Sequence, residues 1–265
     1  MKILVMVKQV AALDEGFEIR ADGRDVDPDF LVRDLNEWDD FSLEEAVRIR
    51  ESGSEVEVVA LTVGPDAADE ILRKCLAKGA DRAVRVWGNA IEGSDSIAIA
   101  RVLAAAARRE RPDLIFAGVQ SSDHGFASTG IAVAGFLGWP YAAVVSQLSY
   151  TAGASRAAFR RELEGGMLQA MEVDTPAVFT IQLGINAPRY ASLRSIKQAA
   201  AKSIEVLSLE ELGLSPSDVG EAGSRSRIRR MYVPPKGRAE MIEGSVAEQA
   251  ARLAALIKDF KGGAA

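Results

Sequence analysis

The amino-acid sequence predicts an α/β fold: a three-layer, Rossmann-like and mostly parallel sheet with helices on both faces. Two observations lead to it. Over about the first 140 residues, short apolar runs alternate with longer amphipathic segments. Gly or Pro stands where one segment gives way to the next, as at Gly79 and Gly138. Strands and helices that alternate at this spacing form right-handed βαβ units, which build an open sheet covered on both sides.

The individual elements follow from hydrophobic periodicity. Apolar runs rich in β-branched residues predict buried strands at 2–7, 56–63, 82–87 and 113–118. Apolar residues at helical spacing predict helices at 42–51, 67–78, 94–110 and 127–137. Ser42 and Glu45 have the spacing of a capping box, so we expect the first helix to begin at Ser42. The Asp22-Gly23 turn signal predicts a hairpin between 17–20 and 25–27.

Beyond residue 140 the pattern changes. Four consecutive runs with Gly-containing turns predict antiparallel strands added to the sheet, at 142–150, 157–163, 167–173 and 178–181. A helix is predicted near 193–201, an irregular stretch over 213–237, and a final amphipathic helix at 245–260. A long irregular arm is unusual inside a compact domain. We therefore divide the chain into an α/β domain, 1–212, and a C-terminal arm, 213–265, that packs against another subunit.

Composition excludes several classes of function. The 265 residues are 48% hydrophobic and 26% charged, the balance of a folded globular protein. Lys plus Arg total 32 against 38 Asp plus Glu, and this acidic balance disfavours nucleic-acid binding. One cysteine and one histidine exclude an internal disulfide and a Cys/His zinc cluster, which favours a cytoplasmic protein without a metal site. Since every apolar run is shorter than the roughly 18–20 residues that span a bilayer, we expect no membrane insertion.

In an open parallel sheet, ligands bind outside the carboxyl ends of the strands, which directs attention to the loops 8–14, 63–66 and 118–129. The strongest pattern is GVQSSDHGFASTG at 118–130, which follows a strand and precedes a helix. Its glycines allow close backbone approach to a ligand, and the free N–H groups of a helix N-terminus favour a phosphate. An ordinary polar loop with a helix cap has the same residues, so both interpretations stay open. No P-loop is present and no G-x-G-x-x-G follows the first strand, which disfavours a standard dinucleotide site.

Four further features have a functional and a plain interpretation. Gly64 would let a flat ligand such as adenine approach, but a strand-to-helix turn is the better explanation. The acidic stretch 36–40 suits a helix N-terminus better than a ribose hydroxyl. The lone His124 has neither a partner cysteine nor a second histidine for metal or general-base chemistry, so a loop position near a ligand or in solvent is the better interpretation. The basic stretch 189–202 is either a solvated helix or a docking patch with an apolar anchor.

These segments together resemble the beta subunit of electron transfer flavoproteins. The resemblance runs in order and spacing from residue 1 to about 212, through DLNEWDDFSLEEAVRIRE, the VGP turn, LAKGADRAVRV, GVQSSD, GFLGWP, RRELEGGM, TPAV and NAPRYASLRSIKQAAAKSIE. The tail through MIEG and the last helix is similar to the version in methylotrophic bacteria, whose partner is a trimethylamine dehydrogenase. The resemblance implies an adenine nucleotide alpha-hydrolase-like fold and an electron carrier without a catalytic step of its own.

The resemblance further implies one half of an alpha/beta heterodimer that passes electrons from a flavin dehydrogenase, such as trimethylamine or acyl-CoA dehydrogenase, to a respiratory acceptor. The alpha subunit would hold most of the FAD, and this chain would hold an AMP without a redox role. The residues implied to bind AMP are Met6, Asn36, Glu37, Trp38, Asp39, Val63, Gly64, Gly118, Val119, Gln120, Ser121, Ser122, Asp123, His124, Gly125, Phe126, Ala127, Ser128 and Thr129. The residues implied to dock the dehydrogenase are Tyr190, Leu193, Arg194, Ile196 and Lys197, with Leu193 as the inserted anchor.

The nucleotide loop departs from the family pattern, in which a run of aspartates precedes Asn-Gln-Thr. Residues 123–126 read Asp-His-Gly-Phe here, while Ser128 and Thr129 still offer hydroxyl groups to a phosphate. Two alternatives follow. An electron-bifurcating beta subunit would hold its own FAD in place of AMP, but the bulky residues at 124–126 are not typical of that class. A nucleotide alpha-hydrolase would need a Ser-Gly-Gly-x-Asp-type loop after the first strand, where this sequence has Lys-Gln-Val-Ala at 8–11.

Overall fold

The computed structural model describes residues 1–13, 16–53, 55–235, 237 and 239–262, and Asp14 at the end of the predicted loop 8–14 lies outside them. The chain forms two compact units, residues 1–229 and 230–265. The larger unit is an α/β domain. The assignment of residues 213–265 to a contact with another subunit stays a prediction.

The strands of the larger unit are β1 (Lys2–Met6), β2 (Gln9–Leu13), β3 (Leu31–Leu35), β4 (Glu57–Val63), β5 (Arg82–Val86), β6 (Leu114–Gly118), β7 (Tyr141–Ser149), β8 (Arg156–Glu162), β9 (Leu168–Asp174), β10 (Ala177–Ile181) and β11 (Glu205–Leu207). Its α-helices are α1 (Glu37–Glu51), α2 (Asp69–Lys78), α3 (Ser96–Glu110), α4 (Thr129–Leu137), α5 (Leu193–Ala201) and α6 (Gly220–Gly223). The smaller unit contains α7 (Val246–Gly262).

Nine of the described strands form one sheet, in the order β11-β5-β4-β1-β6-β10-β7-β8-β9. Every neighbouring pair from β11 to β7 is parallel, whereas β8 is antiparallel to both β7 and β9. Strands β2 and β3 form a separate antiparallel ribbon. The predicted fold class, a mostly parallel α/β sheet with added antiparallel strands, is therefore confirmed.

Helices cover both faces of the sheet. In β1, Ile3 and Val5 share a buried cluster with residues of α1 and α2, whereas Leu4 and Met6 share one with residues of α3 and α4. All four side chains are buried, as expected for a central parallel strand. Because β1 pairs in parallel with both β4 and β6, the carboxyl ends of these three strands lie at one edge of the sheet.

The expectation that the strands after residue 140 are all antiparallel is wrong for β10. This strand lies between β6 and β7 and is parallel to both. All five of its side chains are buried, which is typical of a strand covered on both faces. The hairpin of β8 and β9 is inserted in the chain between β7 and β10, so neighbours in sequence are not neighbours in the sheet.

Helix α1 begins at Glu37 and not at Ser42, so the predicted capping box is wrong. Asn36 is the N-cap residue, and its carbonyl accepts the backbone N–H of Asp39. The Ser42 hydroxyl donates to the carbonyl of Trp38 one turn back, a bond that serine often makes inside a helix. The acidic stretch is therefore the first turn of α1, where carboxylates favour the positive end of the helix dipole.

Two short elements near the N-terminus also differ from the predictions. Residues 9–13, predicted to lie in a loop, form β2 and pair with β3. The predicted hairpin around Gly23 is reduced to one bridge between Ile19 and Val26, with Gly23 in the left-handed region at φ +64°. The sequence prediction also omits β11, because its three residues are too few to show a periodic pattern.

The described residues of the smaller unit contain α7, preceded by a segment without strand or helix. The predicted terminal helix is present. The apolar side chains of Leu253, Ile257 and Phe260 are exposed on it. Among the described residues, no helix is both long and apolar enough to cross a membrane.

Candidate functional site

A cavity of about 750 Å³ lies at the carboxyl edge of the sheet, where β1, β4 and β6 end. The predicted residues that line it are Met6, Asn36, Asp39, Val63, Gly118, Val119, Gln120, Ser121, His124, Phe126, Ala127, Ser128 and Thr129. The predicted residues outside its lining are Glu37, Trp38, Gly64, Ser122, Asp123 and Gly125. The loops chosen from the sequence therefore meet in one place, while their roles as AMP contacts stay predictions.

Asp39 joins the ends of two strands beneath the cavity. Its buried carboxylate accepts the backbone N–H of Lys8 at 2.7 Å and that of Gly118 at 2.9 Å. Burial raises the pKa of Asp39 to about 7, although these N–H donors act to lower it. Because each carboxylate oxygen already accepts a backbone N–H, Asp39 holds β1 and β6 at a fixed spacing.

Asn36 fastens the loop 118–129 in a similar way. Its side-chain amide donates to the carbonyl of Gln120 at 2.9 Å, and its side-chain oxygen accepts the N–H of Ser122 at 3.2 Å. The side chain is buried, so these bonds are shielded from water. Trp38 points elsewhere, because its indole N–H donates to Gln182 at 3.1 Å.

The glycines of the loop serve packing at two positions. A Cβ on Gly118 would lie 2.4 Å from the Cβ of Trp38 and 2.5 Å from a carboxylate oxygen of Asp39. A Cβ on Gly130 would lie 2.7 Å from a methyl carbon of Thr180. The expectation that these glycines serve backbone approach to a ligand is therefore incomplete, since they allow β6 and α4 to pack closely on neighbouring elements.

Lys8 organises the mouth of the cavity, although the sequence prediction does not include it among the AMP contacts. Its Nζ lies 2.6 and 2.8 Å from the two carboxylate oxygens of Asp123, 3.3 Å from Ser121 Oγ and 3.1 Å from His124 Nδ1. Burial raises the pKa of Asp123, but the bonds from Lys8 and Ser121 outweigh it and hold the pKa below its usual value. The half-exposed rings of His124 and Phe126 stack with centroids 5.5 Å apart.

Two helix N-termini meet at the cavity wall. The Ser128 hydroxyl, at the start of α4, donates to the Ser96 hydroxyl at the start of α3, with 2.9 Å between the oxygens. Ala127, just before α4, lies in the left-handed region at φ +50°. Backbone N–H groups in the first turn of a helix have no partner within that helix, and the helix dipole favours an anion there. Since α4 has no side-chain cap bond, whereas the first N–H groups of α3 are bonded to Asp95, the α4 end of this wall suits a phosphate group.

A second wall of the cavity comes from two segments that sequence reasoning missed. Arg20, Arg24 and Asp25 line it from the turn after β2, and residues 221–228 line it from beyond α6. Arg24 Nη1 lies 4.0 Å from Glu221 Oε1, so the two segments approach each other. Neither segment has a hydrophobic period, and the only signal was their content of Arg, Ser and Gly.

The docking segment, which we define as residues 189–202, presents a fixed apolar surface. Tyr190 is 98% exposed and Leu193 is 82% exposed. Arg189 makes paired hydrogen bonds to Glu44 and Glu51 of α1, at 2.6 to 2.9 Å. The predicted helix is present as α5, and its other predicted docking residues, Arg194, Ile196 and Lys197, are exposed.

The other end of the docking segment is held by α2. The guanidinium group of Arg73 donates to the carbonyl of Ala199 at 2.8 Å and also to the carbonyl of Lys202. These carbonyls belong to the last turn of α5, which leaves such groups without helical partners. The docking segment is therefore anchored at both ends while its middle is exposed. Within the described part of the chain, no group of three His, Cys, Asp or Glu side chains is arranged to hold a metal ion.

Comparison with known proteins identifies relatives along the whole chain. An electron transfer flavoprotein domain matches residues 31–212. The electron transfer flavoprotein subunit beta of Methylophilus methylotrophus is 65% identical over 263 residues, which are 99% of this chain and 100% of that protein. The mitochondrial electron transfer flavoprotein subunit beta of Arabidopsis thaliana is 36% identical over 249 residues, which are 94% of this chain and 95% of that protein. The electron transfer flavoprotein subunit beta of Mus musculus is 36% identical over 216 residues, which are 81% of this chain and 84% of that protein.

Proposed function

We propose a function for this chain from the premise that it belongs to the beta-subunit family of electron transfer flavoproteins. With an alpha subunit, it passes electrons from a flavin dehydrogenase to a respiratory acceptor in the cytoplasm. An FAD held mainly by the alpha subunit supplies the redox chemistry. This chain makes no bond of its own: it binds an AMP, supports the flavin domain and recognises the dehydrogenase.

The observation that carries the AMP assignment is the cavity at the ends of β1, β4 and β6. Its volume of about 750 Å³ lies in the range of small-molecule sites, roughly 300–1,000 Å³. The N-terminus of α4, where Ser128 makes no side-chain cap bond, suits the phosphate, and Val63 and Met6 offer apolar surface to a base. Asn36 and Asp39 act indirectly, because their side chains hold the loop 118–129 and the strand ends in place.

The alternative of a second FAD in the same cavity is less well supported. His124 and Phe126 stack at its mouth, and the bulk of these rings favours the smaller nucleotide. A hydrolase of nucleotides is disfavoured as well. Lys8, which follows the first strand, is engaged with Asp123 and Ser121 rather than standing in a glycine-rich phosphate loop.

The docking segment is the surface that we assign to the dehydrogenase, of the trimethylamine or acyl-CoA kind. Tyr190 and Leu193 provide exposed apolar area, and Arg194 and Lys197 supply positive charge for steering an acidic partner. The C-terminal arm, residues 213–265, is assigned to the alpha subunit, apart from residues 221–228, which line the cavity of this chain. The exposed apolar side chains of α7 would be covered there.

One experiment tests the cofactor assignment directly. The chain is purified together with its alpha subunit and denatured, and the released nucleotides are identified by chromatography. One FAD and one AMP per heterodimer are expected. Two FAD and no AMP would move the protein to the bifurcating class, and the absence of any flavin would contradict the carrier function. Removal of AMP should lower the melting temperature and leave the flavin potential nearly unchanged, because a ligand bound only to the folded state stabilises it.

A further inference from the structure

The second wall of the cavity includes a segment that we call the strap, residues 220–228. Its side chains Glu221, Ser226, Arg227 and Ile228 line the cavity. The strap follows the larger unit's last strand and includes the single-turn helix α6. It brings a guanidinium group and an apolar side chain to a cavity whose other walls come from the sheet edge and from α3 and α4.

Asp95 holds the strap with one of its two carboxylate oxygens. Oδ2 accepts the backbone N–H groups of Arg225 and Ser226, both at 2.8 Å, and the hydroxyl of Ser226 at 3.0 Å. Oδ1 accepts the N–H groups of Ile97 and Ala98 at 3.0 and 2.9 Å, which caps α3. One side chain therefore fixes the helix N-terminus with one oxygen and the strap with the other.

The start of the strap is held by neighbouring residues. The hydroxyl oxygen of Ser94 accepts the N–H of Gly220 at 2.7 Å, and the N–H of Asp95 donates to Ser224 Oγ at 2.8 Å. Gly220 lies at φ +61°, and a Cβ there would stand 2.5 Å from the carbonyl oxygen of Ala90. The strap thus turns sharply at a glycine and runs along the N-terminus of α3.

We infer that the strap is part of the nucleotide site and retains the bound nucleotide, with Asp95 as its positioning residue; this inference rests on the proposed binding of AMP. Arg227 offers positive charge to the phosphate, and Ile228 offers apolar surface. The nucleotide leaves the cavity when the bonds between Asp95 and the strap break. Asp95 consequently controls the rate of release more than it controls the stability of the sheet.

The substitution Asp95→Asn separates the two roles of this side chain. Asparagine is as good an N-cap residue as aspartate, so its oxygen can still cap α3. Its NH₂ group would then replace the oxygen that accepts the N–H groups of Arg225 and Ser226. Because an NH₂ group is a donor and cannot accept a hydrogen bond, these bonds to the strap would be lost. The matched control is Asp81→Asn, since Asp81 also accepts a backbone N–H, from Val58 at 2.8 Å, and does not line the cavity.

The experiment uses the purified heterodimer loaded with radiolabelled AMP and chased with excess unlabelled AMP. We expect Asp95→Asn to release the label about tenfold faster than the wild type, because charge-assisted hydrogen bonds of this kind contribute roughly that factor. Asp81→Asn should release it at the wild-type rate. Unchanged release from Asp95→Asn would overturn the role of the strap, whereas a wild type that takes up no AMP would contradict the proposed function itself.

A second measurement does not depend on how well Asp95→Asn folds. Hydrogen exchange of the wild-type heterodimer reports on the backbone amides of Arg225 and Ser226 directly. We expect bound AMP to slow their exchange, while the amide of Val58, which is held by Asp81, exchanges at the same rate with and without AMP. Equal exchange of the strap amides in both states would contradict the inference. The variant Ser94→Ala removes the acceptor of the Gly220 N–H and should also accelerate release.

Discussion

Polar side chains hold the main chain in place both at the sheet edge beneath the cavity and in the docking segment, but the first set is buried and the second borders an exposed surface. At the edge, the side chains of Asn36 and Asp39 are both buried. Asp39 accepts hydrogen bonds from the main chain at the ends of β1 and β6, and Asn36 both donates to and accepts from the main chain of the loop 118–129. In the docking segment, Arg189 and Arg73 hold the two ends, and the apolar middle around Leu193 is exposed. Both regions are positioned by hydrogen bonds. Burial gives the bonds at the edge weight in stability, whereas the docking segment leaves apolar area exposed, which our proposal assigns to recognition.

The largest effect that this comparison predicts is at Asp39. Replacing it with alanine leaves the partly buried N–H groups of Lys8 and Gly118 without their acceptor. Each unsatisfied group costs on the order of 1–3 kcal/mol, so we expect Asp39→Ala to lower the free energy of unfolding by about 4 kcal/mol. Denaturant titration of the heterodimer measures the loss. Glu37→Ala, an exposed position on the same turn, should cost less than about 1 kcal/mol.

The same residue predicts a dependence on pH. The carboxyl of Asp39 has a pKa of about 7 in the folded chain, against an ordinary value of 3.8. Between these values the unfolded state binds fewer protons than the folded state, so this group's contribution to the free energy of unfolding falls as the pH rises from about 4 to about 7. The free energy of unfolding of the wild type should therefore approach that of Asp39→Ala as the pH rises from about 4 to about 7. If the gap between the two free energies stays constant or widens, the raised pKa is contradicted.

A somewhat smaller loss of stability is predicted at Gly118. The added methyl group of Gly118→Ala would overlap Trp38 and Asp39. Overpacking of this kind costs about 1–3 kcal/mol, and we expect a value near 2 kcal/mol by the same titration. The matched control is Gly135→Ala in α4, where a Cβ would meet no described atom within 4 Å beyond its chain neighbours and the nearby backbone of its own helix. Since alanine is the better helix former, the control should be neutral or slightly stabilising.

In the docking segment, the predicted effect is on rate and not on stability. Leu193→Ala should slow electron transfer from the dehydrogenase by about tenfold, the cost of losing an anchoring side chain, without releasing flavin. Stopped-flow reduction of the heterodimer by the dehydrogenase measures it. Val206→Ala, which shortens a half-exposed apolar side chain on β11 outside the docking segment, should leave the rate unchanged. Transfer kinetics that are the same for Leu193→Ala and wild type would remove the anchor assignment.

The smallest predicted effect is at the end of the docking segment. Arg189 donates a hydrogen bond to the exposed carboxylate of Glu51 and so holds the pKa of Glu51 below its usual value. The substitution Glu51→Gln removes the negative charge and weakens this ion pair. Exposed ion pairs contribute less than about 1 kcal/mol, so the rate of transfer should fall by no more than a few-fold. The difference from wild type should shrink as salt is added, because salt screens the pair. An effect as large as that of Leu193→Ala would mean that the pair, and not the leucine, governs docking.

Periodicity predicted the parallel strands and their helices well, because each buries an apolar face that repeats with a fixed spacing. It predicted β10 as antiparallel, since the order of strands in a sheet does not follow from the order in the chain. It placed the start of α1 at Ser42, although the polar residues before it, beginning at Glu37, are already helical. The motif at 118–130 was recognised, but the packing role of Gly118 was not visible without its neighbours.

By itself the sequence determined the α/β class, the edge of the sheet at which the cavity lies, the exposed helix α5 and, through its motifs, the family. Those features depend on local patterns: apolar period, turn residues and the positions of loops after strands. Only the tertiary structure decided that Lys8 organises the cavity mouth, that Asp39 joins β1 to β6, and that Asp95 holds residues 220–228 against the cavity. Such contacts join residues far apart in the chain, and their energies depend on burial and distance, which no local pattern contains.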